Sequence, residues 1–323
     1  MGVLTECFLG GSCGSRLFAR RSLRMSHDPQ APLKAHKPGY GFFVGIDSDG
    51  CAFNSMEVKH NDCFSVNVVK YFGLSAVSRQ VHLVWDFVNL YSQSRGCNRF
   101  KALLDSMDLL REMPKVKATG VIVPVLPAMR AWVKEESALG HPTLATRIEI
   151  ATGDAKAELE RVMAWSLGVN TFVKDIVKEL PPFAGTRRVL NALQGKADVL
   201  VLSATPAEAL AREWSEHGID KFVSIIAGQE MGSKVEHLTL AAKGQYPADA
   251  VLMVGDAPGD LNAARAVGAL FFPINPGDEE ESWALLESEG LPKFFSKQYA
   301  GEYEKKLVDD FMKRLPSTPH WVE

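Results

Sequence analysis

Five short apolar runs constrain this chain most, near residues 42–47, 198–203, 222–227, 250–255 and 269–273. Helix-patterned stretches at about 184–195, 206–217, 233–243 and 258–267 alternate with them. Strands alternating with helices predict a parallel α/β sheet. Ligands in such sheets bind outside the carboxyl ends of the strands. The polar residues that end these runs are therefore the first candidates for function.

The first run reads Phe42-Phe43-Val44-Gly45-Ile46 and stops at Asp47-Ser48-Asp49-Gly50. Two carboxylates this close at a strand end repel, and a cation, a bound proton or both must neutralise them. Alone, an Asp-rich turn accounts for them equally well. The second run ends at Ser203, with Pro206 placed for the first turn of a helix. Free N–H groups and a hydroxyl there suit an oxyanion, although Ser203 or Thr205 could simply cap the helix. After the third run, Gly232 and Ser233 resemble a loop and a helix cap, which puts Lys234 in the first helical turn. The helix dipole disfavours a cation there, which points to an anionic partner, although a solvated surface lysine fits equally well. The fourth run ends in Gly255-Asp256, with Asp260 four residues on at the start of a helix that Gly268 closes.

In order, the signals are Asp-x-Asp-Gly, Ser, Lys and Gly-Asp-x-x-x-Asp. This resembles the haloacid dehalogenase (HAD) superfamily, whose four motifs match Asp47/Asp49, Ser203, Lys234 and Asp256/Asp260. The likeness covers about residues 41–54 and 181–275. It implies a Rossmannoid α/β core, a parallel sheet with helices on both faces, over 41–54 and 181–323. It also implies a mostly helical cap inserted over 55–180. Cys51 departs from the Thr or Val that many members carry, and a change of fit without loss of activity is expected.

The insertion is helical by pattern: Val81, Val84, Trp85, Val88 and Tyr91 share one face, as do Phe100, Leu103, Leu104, Met107 and Leu110. Ala155–Leu167 reads similarly. Trp85 and Trp165 are expected in the insertion's own core. Between two helices lies a basic turn, Ser94–Lys101, resembling the specificity loops of capped members. Arg95 and Arg99 could meet a second anionic group on a substrate, or merely join two helices. Lys59 and His60 are expected on a solvated helix face.

The roles implied by the resemblance are specific. Asp47 is the nucleophile, forming an aspartyl-phosphate. Mg²⁺ is held by Asp47, the backbone carbonyl of Asp49 and Asp256, with Asp260 as direct or indirect support. Ser203 and Lys234 bind the phosphoryl oxygens. Asp49 is the acid and base, so it must hold a proton near neutral pH and point away from the metal. The expected activity is Mg²⁺-dependent hydrolysis of a small phosphorylated metabolite. A phosphosugar mutase of the same superfamily, a receiver-like domain and a non-catalytic phosphometabolite sensor are the alternatives. Superfamily dehalogenases lack the second Asp, which this chain has.

With 323 residues the chain can form a core and a second domain. A net charge of −3 gives no basic field for nucleic acid. No run reaches the ~20 apolar residues of a membrane span, so no membrane partner is expected. Cys7, Cys13, Cys51, Cys63 and Cys97 contain no Cys-x-x-Cys pair, which argues against structural zinc. Their odd count and scatter fit reduced thiols and a cytoplasmic location. Residues 1–40 read as a disordered leader, or as sequence upstream of a start at Met25. Arg16, Arg20, Arg21 and Arg24 lend them a faint transit-peptide character. Gly10–Gly14 follows no strand and carries little weight as a phosphate loop.

Overall fold

The computed structural model describes residues 28–322. The readings for Cys7, Cys13, Gly10–Gly14, the arginine cluster and Met25 lie outside them.

Five parallel strands form one sheet: β1 (Phe43–Ile46), β2 (Asp198–Leu202), β3 (Ile225–Ala227), β4 (Val251–Gly255) and β5 (Leu270–Pro273). Their order is β3-β2-β1-β4-β5, which puts β1 in the centre. All four β1 residues are buried, as a strand covered on both faces requires. Alternate side chains serve two cores. Val44, Ile46, Val201, Val254 and Phe272 pack with Leu190, Trp214 and Trp283 on one face. Phe43, Leu200, Leu202, Met253 and Phe271 pack with Leu238, Ala264 and Phe311 on the other. The third strand is shorter than its apolar run, because Asp220–Phe222 forms a 3₁₀ turn and pairing begins only at Ile225.

Residues 28–40 are not part of an unstructured leader. Pro32 lies in the first turn of the helix Ala31–Ala35, and Leu33 is fully buried in the second sheet core. His36 Nε2 lies 2.9 Å from the Tyr246 hydroxyl, and the Asp198 carboxylate accepts the N–H groups of Gly39 and Tyr40.

The chain leaves the sheet after Phe53 and returns at Pro182, and these residues bridge each other. The Phe183 N–H also donates to the Ala52 carbonyl at 3.0 Å. Both crossings thus lie side by side. Between them, helices including Ser78–Asn89, Arg99–Glu112 and Gly153–Ile176 enclose a separate apolar core. Trp85 and Trp165 are fully buried there, edge to face at 6.0 Å. Tyr91 lies beyond the end of its helix, and its hydroxyl donates to Glu57. No helix among the described residues is long and apolar enough to cross a membrane.

Candidate active site

The site lies where β1, β2 and β4 end. The Asp47 N–H still donates to the Val254 carbonyl, which fixes Asp47 one residue beyond β1. The chain then turns sharply: the N–H groups of Cys51, Ala52 and Phe53 all point to the Ser48 carbonyl. Gly50 makes this turn at φ +78°, a left-handed conformation that glycine adopts without strain. Asp256 follows β4, and Asp260 lies in the first turn of the helix Pro258–Val267. The Asp260 Oδ2 accepts the N–H groups of Asp256 and Ala257 at 3.2 and 3.1 Å. A Cβ at Gly255 would collide with that carboxyl, so the β4 end requires glycine.

Asp47, Asp256 and Asp260 are buried, and each offers an oxygen within 4.8 Å of the others. Lys234, at the start of the helix Lys234–Ala241, lies 2.7 Å from Asp47 Oδ2 and also bonds Asp260. Its unfavourable place at a helix start is thus offset by two carboxylates. Burial lowers the Lys234 pKa, but the charges of Asp260 and Asp47 outweigh burial and raise it. Asp47 is raised well above the usual carboxylate range, mainly by burial and then by Asp260 and Asp256, with Lys234 opposing. Burial likewise raises Asp256 against the pull of Arg95.

Ser203 is buried one residue past β2, and its hydroxyl accepts the Thr205 N–H at 3.2 Å. It does not cap the following helix, Ala207–Glu216. Pro206 is the residue before that helix, and Glu230 accepts the Ala207 N–H instead.

The Asp49 side chain stands outside the carboxylate trio. Ser55, Lys59 and Thr205 all bond it, with Thr205 Oγ1 donating at 2.6 Å. Burial alone would raise its pKa, but Lys59 and these donors together hold it down at about 2. Asp49, expected to carry a proton at neutral pH, is paired with the Lys59 cation, and this pairing favours its ionised form. Lys59 is correspondingly not on a solvated face. His60 is not solvated either: its Nδ1 accepts the Trp85 indole N–H at 2.9 Å and its ring stacks on Phe64.

The two arginines of the basic turn diverge. Arg95 reaches the site: its Nε and Nη2 contact Asp256 Oδ2 at 2.8 and 2.6 Å. Arg99 turns into the insertion, donating to Ser166 and Asn170 with its guanidinium over the Phe64 ring. As placed, it serves the helix packing and not a substrate contact.

Sequence reasoning missed Lys59, Ser55 and Glu213. A helix starting at Ser55 puts Ser55 and Lys59 one turn apart, a cue that was available. Glu213 carries no motif. It lies 3.5 Å from the Ser48 hydroxyl, and burial, with the Asp49 charge second, raises its pKa to about 7.

A sequence model of haloacid dehalogenase-like hydrolases matches residues 98–268. The chain belongs to this hydrolase family. The matched segment of this family member carries Ser203, Lys234, Asp256 and Asp260 but starts after Asp47 and Asp49, which the central strand brings to them. No curated protein matches the chain. Among solved structures, a predicted phosphoglycolate phosphatase from Haemophilus somnus is similar at 17% identity, covering 72% of this chain and 84% of its own, TM-score 0.43. A haloacid dehalogenase-like family hydrolase from Xanthomonas campestris is similar at 13% identity, covering 82% and 96%, TM-score 0.43. A haloacid dehalogenase-like family protein from Streptococcus pneumoniae is similar at 14%, covering 76% and 90%, TM-score 0.41.

Proposed function

We propose that this hydrolase is a capped, Mg²⁺-dependent phosphatase of small phosphorylated metabolites, acting through a phosphoryl group carried on Asp47. One observation supports this reading above the others: three buried carboxylates converge with Lys234 at the carboxyl ends of parallel strands. Such a cluster is costly to fold and useful for phosphoryl transfer.

The donor set fits a hard cation. Its oxygens are carboxylates, and Asp256 Oδ1 is buried with no hydrogen-bond partner among the described residues. Asp47, Asp256 and the Asp49 carbonyl would hold Mg²⁺, supported by Asp260. When bound, the ion neutralises charge on the transferring oxygens and on the trio. Asp47 attacks phosphorus, and the bond to the leaving oxygen breaks. Lys234 and Ser203 hold the phosphoryl oxygens as charge moves onto them. The leaving oxygen takes a proton from Asp49, which then accepts one from the water that cleaves the acyl phosphate. Because Lys59 keeps the resting Asp49 ionised, Asp49 gains that proton only once the Lys59 contact breaks. The helical insertion acts as the cap that excludes bulk water.

The test is release of inorganic phosphate from p-nitrophenyl phosphate by the purified chain with Mg²⁺. Turnover in the wild type and its loss in a folded Asp47→Asn variant are expected. Turnover undiminished by that change would overturn the reading.

A further inference from the structure

Arg95 belongs to the helical insertion, yet its guanidinium is spent on a carboxylate of the sheet domain. Its Nε and Nη2 share Asp256 Oδ2, and Nη1 donates to the Leu90 carbonyl at 2.8 Å. The pair is sealed, with side-chain exposures of 2% and 1%. Its approach is built in from the loop after Asp49. A Cβ at Gly50 would lie 2.6 Å from Asp256 Oδ2 and 2.7 Å from Arg95 Nη2. A Cβ at Gly96 would lie 3.0 Å from the Ala257 Cβ, so the basic turn itself touches the β4 end.

Three carboxylates buried together need positive charge nearby. Lys234 supplies one charge, to Asp47 and Asp260. Arg95 supplies the other, to Asp256. We propose that Arg95 is a latch that competes with a divalent cation for Asp256. It ties the helical insertion to the sheet domain, and loading of a divalent cation releases it. This rests on the reading that the trio holds Mg²⁺. A divalent ion that takes an Asp256 oxygen lies within a few ångströms of the guanidinium, and in a buried site that repulsion is weakly screened. Arg95 holds Oδ2 and leaves Oδ1 to the ion, so the two charges compete for one carboxylate through their mutual repulsion and not through a shared oxygen. By linkage, metal binding favours the open cap, and the closed cap weakens metal binding. Metal then precedes substrate, because only the loaded site is released for entry.

The experiment is calorimetric titration of the purified chain with Mg²⁺, comparing wild type with Arg95→Gln and Arg95→Lys. Gln keeps a donor for Asp256 without the charge, whereas Lys keeps the charge. Arg95→Gln should tighten Mg²⁺ binding by at least about tenfold, as expected when a competing charge is removed, and Arg95→Lys should stay near wild type. Unchanged or weaker binding in a folded Arg95→Gln protein would overturn the latch while leaving the metal reading intact. Absence of Mg²⁺ binding in all three proteins would overturn the metal reading and the latch with it. Hydrogen exchange on the wild type is the second measurement and needs no variant. Mg²⁺ should accelerate exchange in residues 91–98, and protection or no change there would also overturn the latch.

Discussion

Lys234 Nζ lies 2.7 Å from Asp47 Oδ2 and also bonds Asp260, so one cation ties the end of β1 to the helix after β4. Both carboxylates are buried, and removing the shared partner leaves them uncompensated. Lys234→Met should lower kcat by about 10²–10³, as for loss of a donor to a developing oxyanion. It should also reduce stability by about 3–5 kcal/mol. Urea denaturation with and without Mg²⁺ separates the two effects, because the metal should restore part of the stability but not the turnover.

Lys59 controls the state of Asp49. Without its charge and hydrogen bond, burial dominates and the Asp49 pKa rises. Lys59→Met should therefore shift the alkaline limb of the kcat profile to higher pH, since Asp49 keeps its proton further up the scale. A pH profile identical to wild type would show that Asp49 does not supply the proton.

Acid should destabilise the fold partly through His60. Burial, then the Arg95 and Lys59 charges, lower its pKa from 6.5 to about 3. Between these values the unfolded chain binds a proton that the folded chain does not. This contribution is thus full above pH 6.5 and is lost as pH falls toward 3. The loss approaches about 1.4 kcal/mol per pH unit within that window. His60→Gln removes the titration, so the stability difference between wild type and variant should shift against wild type across that range. Other buried acids titrate equally in both proteins, and chemical denaturation at several pH values reads the difference.

Arg99 is bonded to Ser166 and Asn170 within the helical insertion, and burial lowers its pKa to about 10. Arg99→Ala should cost about 1.5–3 kcal/mol, the range for hydrogen bonds to a charged group. It should leave KM unchanged, because the side chain points into the helical insertion. A large rise in KM without loss of stability would return Arg99 to substrate binding.

The fold was legible because a sheet covered on both faces leaves continuous apolar runs, and Val251–Gly255 has no polar side chain to obscure it. Asp47, Lys234, Asp256 and Asp260 were legible for the complementary reason, as polar residues placed where such runs stop. Lys59 and Glu213 were not. Their roles depend on which helix face lies over the strand ends, and tertiary packing decides that. Arg95 and Arg99 sit four apart, but only Arg99 begins a helix, so their spacing gave no common direction. The ion pair on Asp49 is not legible in the sequence, because its partner Lys59 reads there as a solvated helix residue.

The nucleophile can be tested by quenching turnover with acid and mapping the phosphoryl group by peptide mass spectrometry. With Mg²⁺ and a phosphomonoester, the modification should fall on Asp47 and be absent from Asp47→Asn. Rapid hydrolysis with no label on Asp47, or a label on another residue, would contradict the account.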